Sequence, residues 1–524
     1  MKVLVSDKLS EKGVEILRQG GLDVDVKTGL DKEEIKKIIG DYDALVVRSA
    51  TKVTSDIIEN AKKLKAIGRA GIGVDNIDIP AASKRGILVM NTPGGNTITT
   101  GEHTIAMMMA LTRNIPQAVA SMKAEKWEKK KFSGREVFNK TLGIIGMGRV
   151  GSVVASRAQG FKMNVIAYDP FISKEVAEKM GVEIVELDEI FARSDYITLH
   201  TPLTKETRGI INKEAFSKMK DGVMIINCAR GPLIDNNALI EALDSGKVAG
   251  AAIDVYEKEP PDDWTLVKHP KVICTPHLGA STEEAQENVA VAVAHQIIDY
   301  LNKGVIANAL NAPSVAPEIL PRVMPYAELA EKMGVFAGQV FTGRIEKINV
   351  NYSGDVADLD VSPVTVSLLK GIFSVIVSDV NNVNAPFIAK ERGIDVIESR
   401  SSRAETYSNM IEVQVELDST TRSMAGSLFK AHDLRIVRID NYPIEVIPEK
   451  NMLVIYNKDL PGTVGNIGIV LGDANINIAR LFLGRDREQG TAIIIINLDS
   501  EVPDEVIQKL ENIPNIISVQ QVTL

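Results

Sequence analysis

Short apolar runs alternate with amphipathic stretches along the first three hundred residues. Residues 3–6, 23–26, 44–48, 66–69 and 87–91 read as strands, and apolar positions at helical spacing, such as Ile35, Ile38 and Ile39, lie between them. Parallel strands need crossover connections, so this alternation predicts a doubly wound parallel sheet. The pattern resumes at 142–145 and 165–168 and runs through 196–200, 223–227, 248–254 and 272–275, which predicts a second such sheet. A long helix is expected over 282–302, ending at Gly304. It would carry the chain back to the first domain, leaving the second inserted within it.

The stretch 311–317, with Pro313 and Pro317 and followed by Pro321 and Pro325, reads as a linker. Beyond it the pattern becomes α+β, with strands expected at 348–352, 412–417, 435–439 and 444–447. A second break near Pro448 precedes a strand at 452–456, a helix over 463–473, strands at 479–483 and 492–498, a helix from Pro503 and a strand at 516–523. That order is a ferredoxin-like βαββαβ unit. The expected domains are 1–98 with 282–313, then 99–281, 314–450 and 451–524. The fold class is therefore α/β, a Rossmann-type domain inserted into a flavodoxin-like one, followed by two α+β units.

Composition narrows the function. The chain of 524 residues is too long for one core, and its net charge of −9 argues against default affinity for nucleic acid or anionic membranes. Apolar stretches such as 289–294 break well short of a membrane span, and the N-terminus lacks the apolar core of a secretory signal. Cys228 and Cys274 make no disulfide framework, and six scattered histidines form no metal-type pair. A reducing, cytoplasmic setting without a metal is expected. An anionic ligand would need a local arginine cluster.

The chemistry begins at 141–151, where an apolar strand runs into Gly146, Gly148 and Gly151 at G-x-G-x-x-G spacing. Such glycines permit a tight turn, close approach to a pyrophosphate and close helix packing, and the helix start offers N–H groups to phosphates. Asp169 follows eighteen residues beyond Gly151, at the end of the next strand. Its carboxylate suits the ribose hydroxyls of NAD and would repel the 2′-phosphate of NADP, and the next residue is Pro170 rather than an arginine. NAD is the expected cofactor.

Three later strand ends supply candidates for hydride chemistry. Arg230 follows 223–227, Glu259 lies beyond 248–254, and His277 follows 272–275. A guanidinium holds a carboxylate in two bonds and polarises a carbonyl. A histidine paired with a carboxylate transfers a proton near neutral pH.

These motifs, together with 68–76, 91–96 and 275–282, resemble the D-2-hydroxyacid dehydrogenase family in its long form. The resemblance implies that His277 is the acid/base, Glu259 its partner and Arg230 the substrate anchor. It implies NAD contacts from Arg149, Val150, Asp169, Thr201, Cys228, Asp254 and Gly279, and substrate contacts from Arg48, Arg69, Gly71, Ile72 and Asn96. The implied activity is oxidation of 3-phosphoglycerate to 3-phosphohydroxypyruvate, the first committed step of L-serine biosynthesis, in a homodimer or homotetramer. Arg48 and Arg69, each ending a strand, would supply the positive cluster. The rivals are a glyoxylate or hydroxypyruvate reductase and a non-enzymatic, corepressor-like NAD sensor.

The last seventy or so residues resemble an ACT domain, whose effector motifs match Asn457, Asp459 and Asn477, with L-serine as the implied effector. Relatives carry His, Tyr or a similar side chain at position 457. Residues 316–450 resemble an intervening domain of some long forms, where Arg400, Arg403, Arg422, Lys430 and Arg435 are candidate anion ligands.

Overall fold

Strands β1 (Lys2–Val5), β2 (Asp23–Val26), β3 (Ala44–Val47), β4 (Ala66–Arg69) and β5 (Leu88–Asn91) form a parallel sheet in the order β2-β1-β3-β4-β5. The structure, a computed structural model, describes all residues except 316–317, 404–405, 431 and 487–489. Ala316 and Pro317 of the expected linker therefore lie outside the described residues. Alternate side chains of the sheet enter two cores. Val3, Val5, Val46 and Met90 face one, and Leu4, Leu45, Val47 and Ile67 face the other. Burial on both faces explains why these strands read as short continuous apolar runs.

The helix Glu283–Lys303 closes the first of those cores with Val289, Val293, Ala294 and Ile297. The Thr282 side chain caps its start by accepting from the Ala285 N–H, and Gly304 ends it at φ 70°, where a side chain would be strained. Two glycines let it sit close. A methyl group at Gly13 would approach the Ala290 Cβ to 2.8 Å, and one at Gly68 would approach the Val293 Cγ2 to 2.6 Å.

The second sheet comprises β6 (Thr141–Ile145), β7 (Asn164–Tyr168), β8 (Glu183–Ile184), β9 (Tyr196–Leu199), β10 (Val223–Asn227), β11 (Val248–Ile253) and β12 (Val272–Cys274). Their order is β12-β11-β10-β9-β6-β7-β8, all parallel. Strand β8, of two residues, is too short to leave a periodic signal. The order reverses between β6 and β9, which opens a crevice at their carboxyl ends. The helix Thr97–Thr112 packs on this sheet through Ile105, Met108 and Leu111.

The third sheet joins β13 (Ile345–Gly354), β14 (Asp395–Ser401), β15 (Asn409–Leu417), β16 (Thr421–Phe429), β17 (Asp433–Ile439) and β18 (Tyr442–Val446) in the order β14-β13-β15-β16-β17-β18. Sequence pattern does not reveal β14, a mostly exposed polar edge strand, or β16, whose Ser and Gly positions dilute its alternation. Pro321 and Pro325, which follow the expected linker, belong to the helix Leu320–Val340, Pro321 in its first turn and Pro325 inside it.

The last sheet, β19 (Asn451–Lys458), β20 (Ile478–Asp486), β21 (Thr491–Leu498) and β22 (Ile516–Thr523), has the antiparallel order β20-β21-β19-β22. The helices Thr463–Asp473 and Asp504–Glu511 cover one face through Ile467, Leu471, Val506 and Leu510. The opposite face sends Met452, Val454, Ile493, Ile495 and Val522 into the core built around the Leu320–Val340 helix. The two tail units thus share one continuous core. Among the described residues, no helix is long and apolar enough to cross a membrane.

Gly68 tests how the return helix docks. Overpacking a tight core typically costs about 1–3 kcal/mol, so Gly68→Ala should lower stability in denaturant unfolding by that order. Adding Val293→Ala should restore part of the loss, because the two methyl groups compete for one space.

Candidate active site

The strand β6 delivers the chain to Gly146, whose φ of 100° suits glycine. A side chain there would meet the His200 backbone at 2.8 Å. A methyl group at Gly151, in the first turn of the helix Arg149–Gly160, would fall on the Gly146 carbonyl. At Gly148, by contrast, nothing lies within 4 Å. Two glycines therefore serve packing, and the middle one leaves space in front of a helix start with no side-chain cap. Asp169, just past β7, accepts from the Met147 N–H and the Phe171 N–H, each at 2.8 Å, which pins its carboxylate beside that space. Nearby, the Thr201 hydroxyl is buried with no hydrogen-bond partner among the described residues. An exposed phosphate cradle, a pinned carboxylate and a waiting hydroxyl fit a dinucleotide.

Asp254 organises the far wall of the crevice. It is fully buried and accepts from the Thr275 hydroxyl at 2.6 Å, the Leu278 N–H at 2.7 Å and the Gly279 N–H at 2.8 Å. Burial acts to raise its pKa, but the bonds from His103, Thr275 and Leu278 outweigh it and hold the carboxyl below its usual range. Potential ligand atoms of His103, Cys228 and Asp254 lie within 4.8 Å of one another. Both Asp254 oxygens are engaged by the His277 loop and Thr275, His103 Nε2 lies 3.4 Å from Asp254, and the Cys228 thiol is buried beside them. Burial and the Asp254 charge push the Cys228 thiol up to about 12, which keeps it protonated.

His277 sits on the loop that Asp254 holds. Its backbone is left-handed at φ 54°, a strained conformation for a residue with a side chain. Its Nδ1 lies 2.7 Å from Glu259 Oε2. An ionised carboxylate only accepts, so Nδ1 carries the proton and Nε2 remains for the cleft. The bond to Glu259 raises the His277 pKa, with burial opposing it. Burial would raise Glu259, yet the His277 bond outweighs it and lowers that carboxyl. Arg230, beyond β10, donates from Nε to Asp75 Oδ2 at 3.0 Å and from Nη1 to the Ala229 carbonyl at 2.8 Å. Its charge is felt at His277. Arg230, Glu259 and His277 therefore share one cleft.

The first sheet contributes the opposite wall. Arg48 follows β3, its N–H bonded to Asp7 at 2.6 Å and its Nη1 donating to the Lys8 carbonyl at 3.1 Å. Arg69 ends β4, and its Nε is buried with no partner among the described residues. Burial and the charge of Arg230 lower its pKa to about 10, still well above neutral pH. Gly71, at φ 153°, lies directly against Arg69 Nη1, and Gly73 against Arg230 Nη2, so side chains at either would collide. Asn91 donates to the Ile72 carbonyl at 2.6 Å. Asn96 precedes the helix Thr97–Thr112 with a buried Oδ1 that lacks a described partner.

Sequence reasoning assigns no role to Gly73, Asp75 or Asn76, although all lie within the 68–76 motif. Asn76 donates from Nδ2 to the carbonyls of Arg48 and Thr51, at 2.8 and 2.7 Å, and so ties down the Arg48 loop. The available signal was an Asp-Asn pair closing a glycine-rich loop. Arg149 and Val150 open the helix behind the phosphate cradle, and Arg149 reaches towards Gly94 of the first domain.

The effector candidates are not brought together within one chain. Asp459 is ion-paired with Arg485, near the end of β20, whereas Asn477 immediately precedes β20 and donates to Asp499 at 2.7 Å. Eight residues of strand at about 3.3 Å each put them roughly 25 Å apart. Asn457 shares a register row of the sheet with Arg485, so it lies at the Asp459 end, buried with its Nδ2 bonded to the Lys458 carbonyl. In the third unit Arg422 bonds Asp440 and the Tyr456 hydroxyl, Arg435 bonds Asp433, and Arg400 bonds the Leu359 carbonyl. These three basic residues have internal partners and do not converge on one pocket.

Comparison with known proteins agrees with this geometry. Residues 105–279 match the NAD binding domain of D-isomer specific 2-hydroxyacid dehydrogenases, 322–440 a D-3-phosphoglycerate dehydrogenase intervening domain, and 451–515 an ACT domain. The crystal structure of D-lactate dehydrogenase from Aquifex aeolicus complexed with NAD and lactic acid aligns with a TM-score of 0.54 at 29% identity, covering 60% of this chain and 100% of that one. Fold and site thus define an NAD-binding 2-hydroxyacid dehydrogenase. D-3-phosphoglycerate dehydrogenases from Archaeoglobus fulgidus and Methanocaldococcus jannaschii are each 47% identical, with 100% of both chains covered. The chain belongs to the D-3-phosphoglycerate dehydrogenase family.

The His277–Glu259 pair predicts a pH dependence. If His277 takes the hydroxyl proton, oxidation needs it unprotonated, and its pKa is raised, so kcat/KM for oxidation should climb with pH through a value above that of an unperturbed histidine. Glu259→Gln removes the largest raising influence, and the rising limb should then move to lower pH. Reduction needs the protonated form, so its falling limb should move the same way. Steady-state profiles in both directions check this, and an unmoved limb in Glu259→Gln would refute it.

Proposed function

We propose that Arg230, Glu259 and His277 carry the chemistry of this chain. The chain is an NAD-dependent oxidoreductase that oxidises 3-phosphoglycerate to 3-phosphohydroxypyruvate, the first committed step of L-serine biosynthesis. The observation that carries the residue assignment is the 2.7 Å His277–Glu259 pair on a strained loop, in the same cleft as Arg230. NAD, when bound, supplies the hydride acceptor. Arg230 holds the substrate carboxylate and polarises the oxygen on C2. His277 accepts the hydroxyl proton at Nε2, and Glu259 favours the resulting imidazolium. Arg48 and Arg69 hold the phosphate, since desolvating a multiply charged anion needs charged partners. Closure of the cleft keeps water from the reacting carbon.

Gly146, Gly148, Arg149, Val150, Gly151, Asp169, Thr201, Cys228, Asp254 and Gly279 form the cofactor side in this reading. Gly71, Ile72 and Asn96 complete the substrate side. Packing of the helices Thr97–Thr112 and Glu283–Lys303 on different sheets supports 1–98 with 282–313 as the substrate domain and 99–281 as the NAD domain, with 314–450 and 451–524 as regulatory units. L-serine is the proposed effector. Because Asp459 and Asn477 lie far apart in one chain, its site needs residues from two copies, which supports a homodimer or homotetramer. Two free cysteines support a reducing, cytoplasmic setting.

A substrate panel tests the reading. With NAD, 3-phosphoglycerate should turn over far better than glycolate or D-glycerate, and NADP should serve poorly. A charge-assisted contact is worth roughly 1.5–3 kcal/mol, so Arg48→Ala or Arg69→Ala should cost about 10- to 150-fold in kcat/KM for 3-phosphoglycerate. D-glycerate, lacking the phosphate, should suffer much less. Equal losses on both would move these arginines away from the phosphate.

Serine binding is best measured on the full chain, because the terminal unit shares its core with the preceding one. Calorimetric titration should give heat together with falling activity, and Asn477→Ala should abolish both. Neither heat nor inhibition at millimolar serine would remove the effector role.

A further inference from the structure

Arg230 can polarise and anchor a substrate only if one edge of its guanidinium faces the cleft. A long side chain has many rotamers, so something must choose that edge. Two of its N–H groups are committed. Nε donates to Asp75 Oδ2 at 3.0 Å and Nη1 donates to the Ala229 carbonyl at 2.8 Å. Nη2 lies against Gly73, where any side chain would displace it. Gly73 and Asp75 belong to the loop after β4, on the first sheet, whereas Arg230 follows β10 on the second. The contact therefore spans the cleft between them.

Asp75 is also an unexpected charge. It is 67% exposed and stands among Arg48, Arg69 and Arg230, in a place built to receive an anion. A carboxylate there repels the ligand, and an aspartate without a task would be cheaper elsewhere. Its field reaches Arg69, opposing the influence of Arg230 and Arg48 on that group.

We propose that Asp75 is a positioning residue for the reaction, holding the Nε of Arg230 across the cleft so that the remaining N–H groups of Nη1 and Nη2 face substrate. The proposal rests on the reading of Arg230 as the substrate anchor. It separates orientation from attraction. Asp75→Asn keeps the size of the side chain and loses the charge that fixes Arg230, so kcat for 3-phosphoglycerate oxidation should fall about tenfold or more. KM should not rise, because a like charge beside the anion has gone. A salt bridge that merely stabilised the fold would show neither the split nor any dependence on Arg230.

The test is a double-mutant cycle on the full chain, with kcat and KM measured for the wild type, Asp75→Asn, Arg230→Lys and the double variant, and thermal melts as controls. Lysine has no second edge for a carboxylate to hold, so Asp75→Asn should cost little in the Arg230→Lys background. Should Asp75→Asn not fold, Asp75→Ser takes its place in the same cycle. If Arg230→Lys is slow but Asp75→Asn lowers kcat equally in both backgrounds, positioning is overturned and the anchor reading stands. An unchanged kcat in Asp75→Asn, or a raised KM alone, also overturns it. Near-wild-type turnover by Arg230→Lys overturns the anchor reading and, with it, this one.

Discussion

Arg48, Arg69 and Arg230 bring three positive charges into one cleft, and their mutual repulsion is the constraint that the surrounding structure answers. At an effective dielectric of about 20, two unit charges roughly 8 Å apart repel by about 2 kcal/mol. The answer is local. Asp7 fixes the backbone at Arg48, Asp75 takes the Arg230 Nε, and Asn76 ties the Arg48 loop. Gly71 and Gly73 have no side chains because guanidinium groups occupy the space. In the proposed function the same charges draw in a multiply charged anion, so the cost carried by the free protein would be the source of its affinity.

A second electrostatic problem is solved on the other wall. Asp254 is a buried carboxylate, which is costly unless fully hydrogen-bonded. The Thr275 hydroxyl and the Leu278 and Gly279 amides satisfy it. Those donors belong to the loop that carries His277, so satisfying the buried charge also holds the histidine in its left-handed conformation. One carboxylate thus fixes this wall of the crevice and the position of His277 together. Glu259 then sets which nitrogen of His277 carries its proton.

The tail behaves as one packed body rather than two loosely joined modules, because a face of the last sheet completes the core of the unit before it. That body touches the first domain. Asn381 donates to the Gly86 carbonyl at 3.0 Å, Val383 enters the core beneath the first sheet, and Lys84 pairs with Glu391 at 3.0 Å. Gly86 lies just before β5, at the amino end of the first sheet, opposite the carboxyl end where Arg69 sits. The tail therefore docks on the first domain away from the edge that carries Arg69.

Much of this was legible in the residues alone. Parallel strands buried on both faces leave continuous apolar runs, and capped helices leave Thr282 and Gly304, so both doubly wound sheets and the return helix could be read from local pattern. The glycine turn after β6, Asp169 and the gathering of Arg230, Glu259 and His277 in one cleft were legible because each follows a strand whose end must open on the crevice. The polar edge strand β14 and the serine- and glycine-containing β16 were not, since their pairing depends on neighbours distant in sequence. Nor could sequence separate glycines that allow packing, such as Gly68 and Gly151, from those that make way for arginines, such as Gly71 and Gly73. Asp75 looked like a loop residue until folding placed Arg230, 155 positions away, against it. Asp459 and Asn477 were expected to complete a site across a pair of these domains, and only the length of β20 shows how far apart they lie within one chain. Local chemistry dictates which groups a segment carries. Charge pairing and close contact between segments exist only once the chain has chosen its tertiary neighbours.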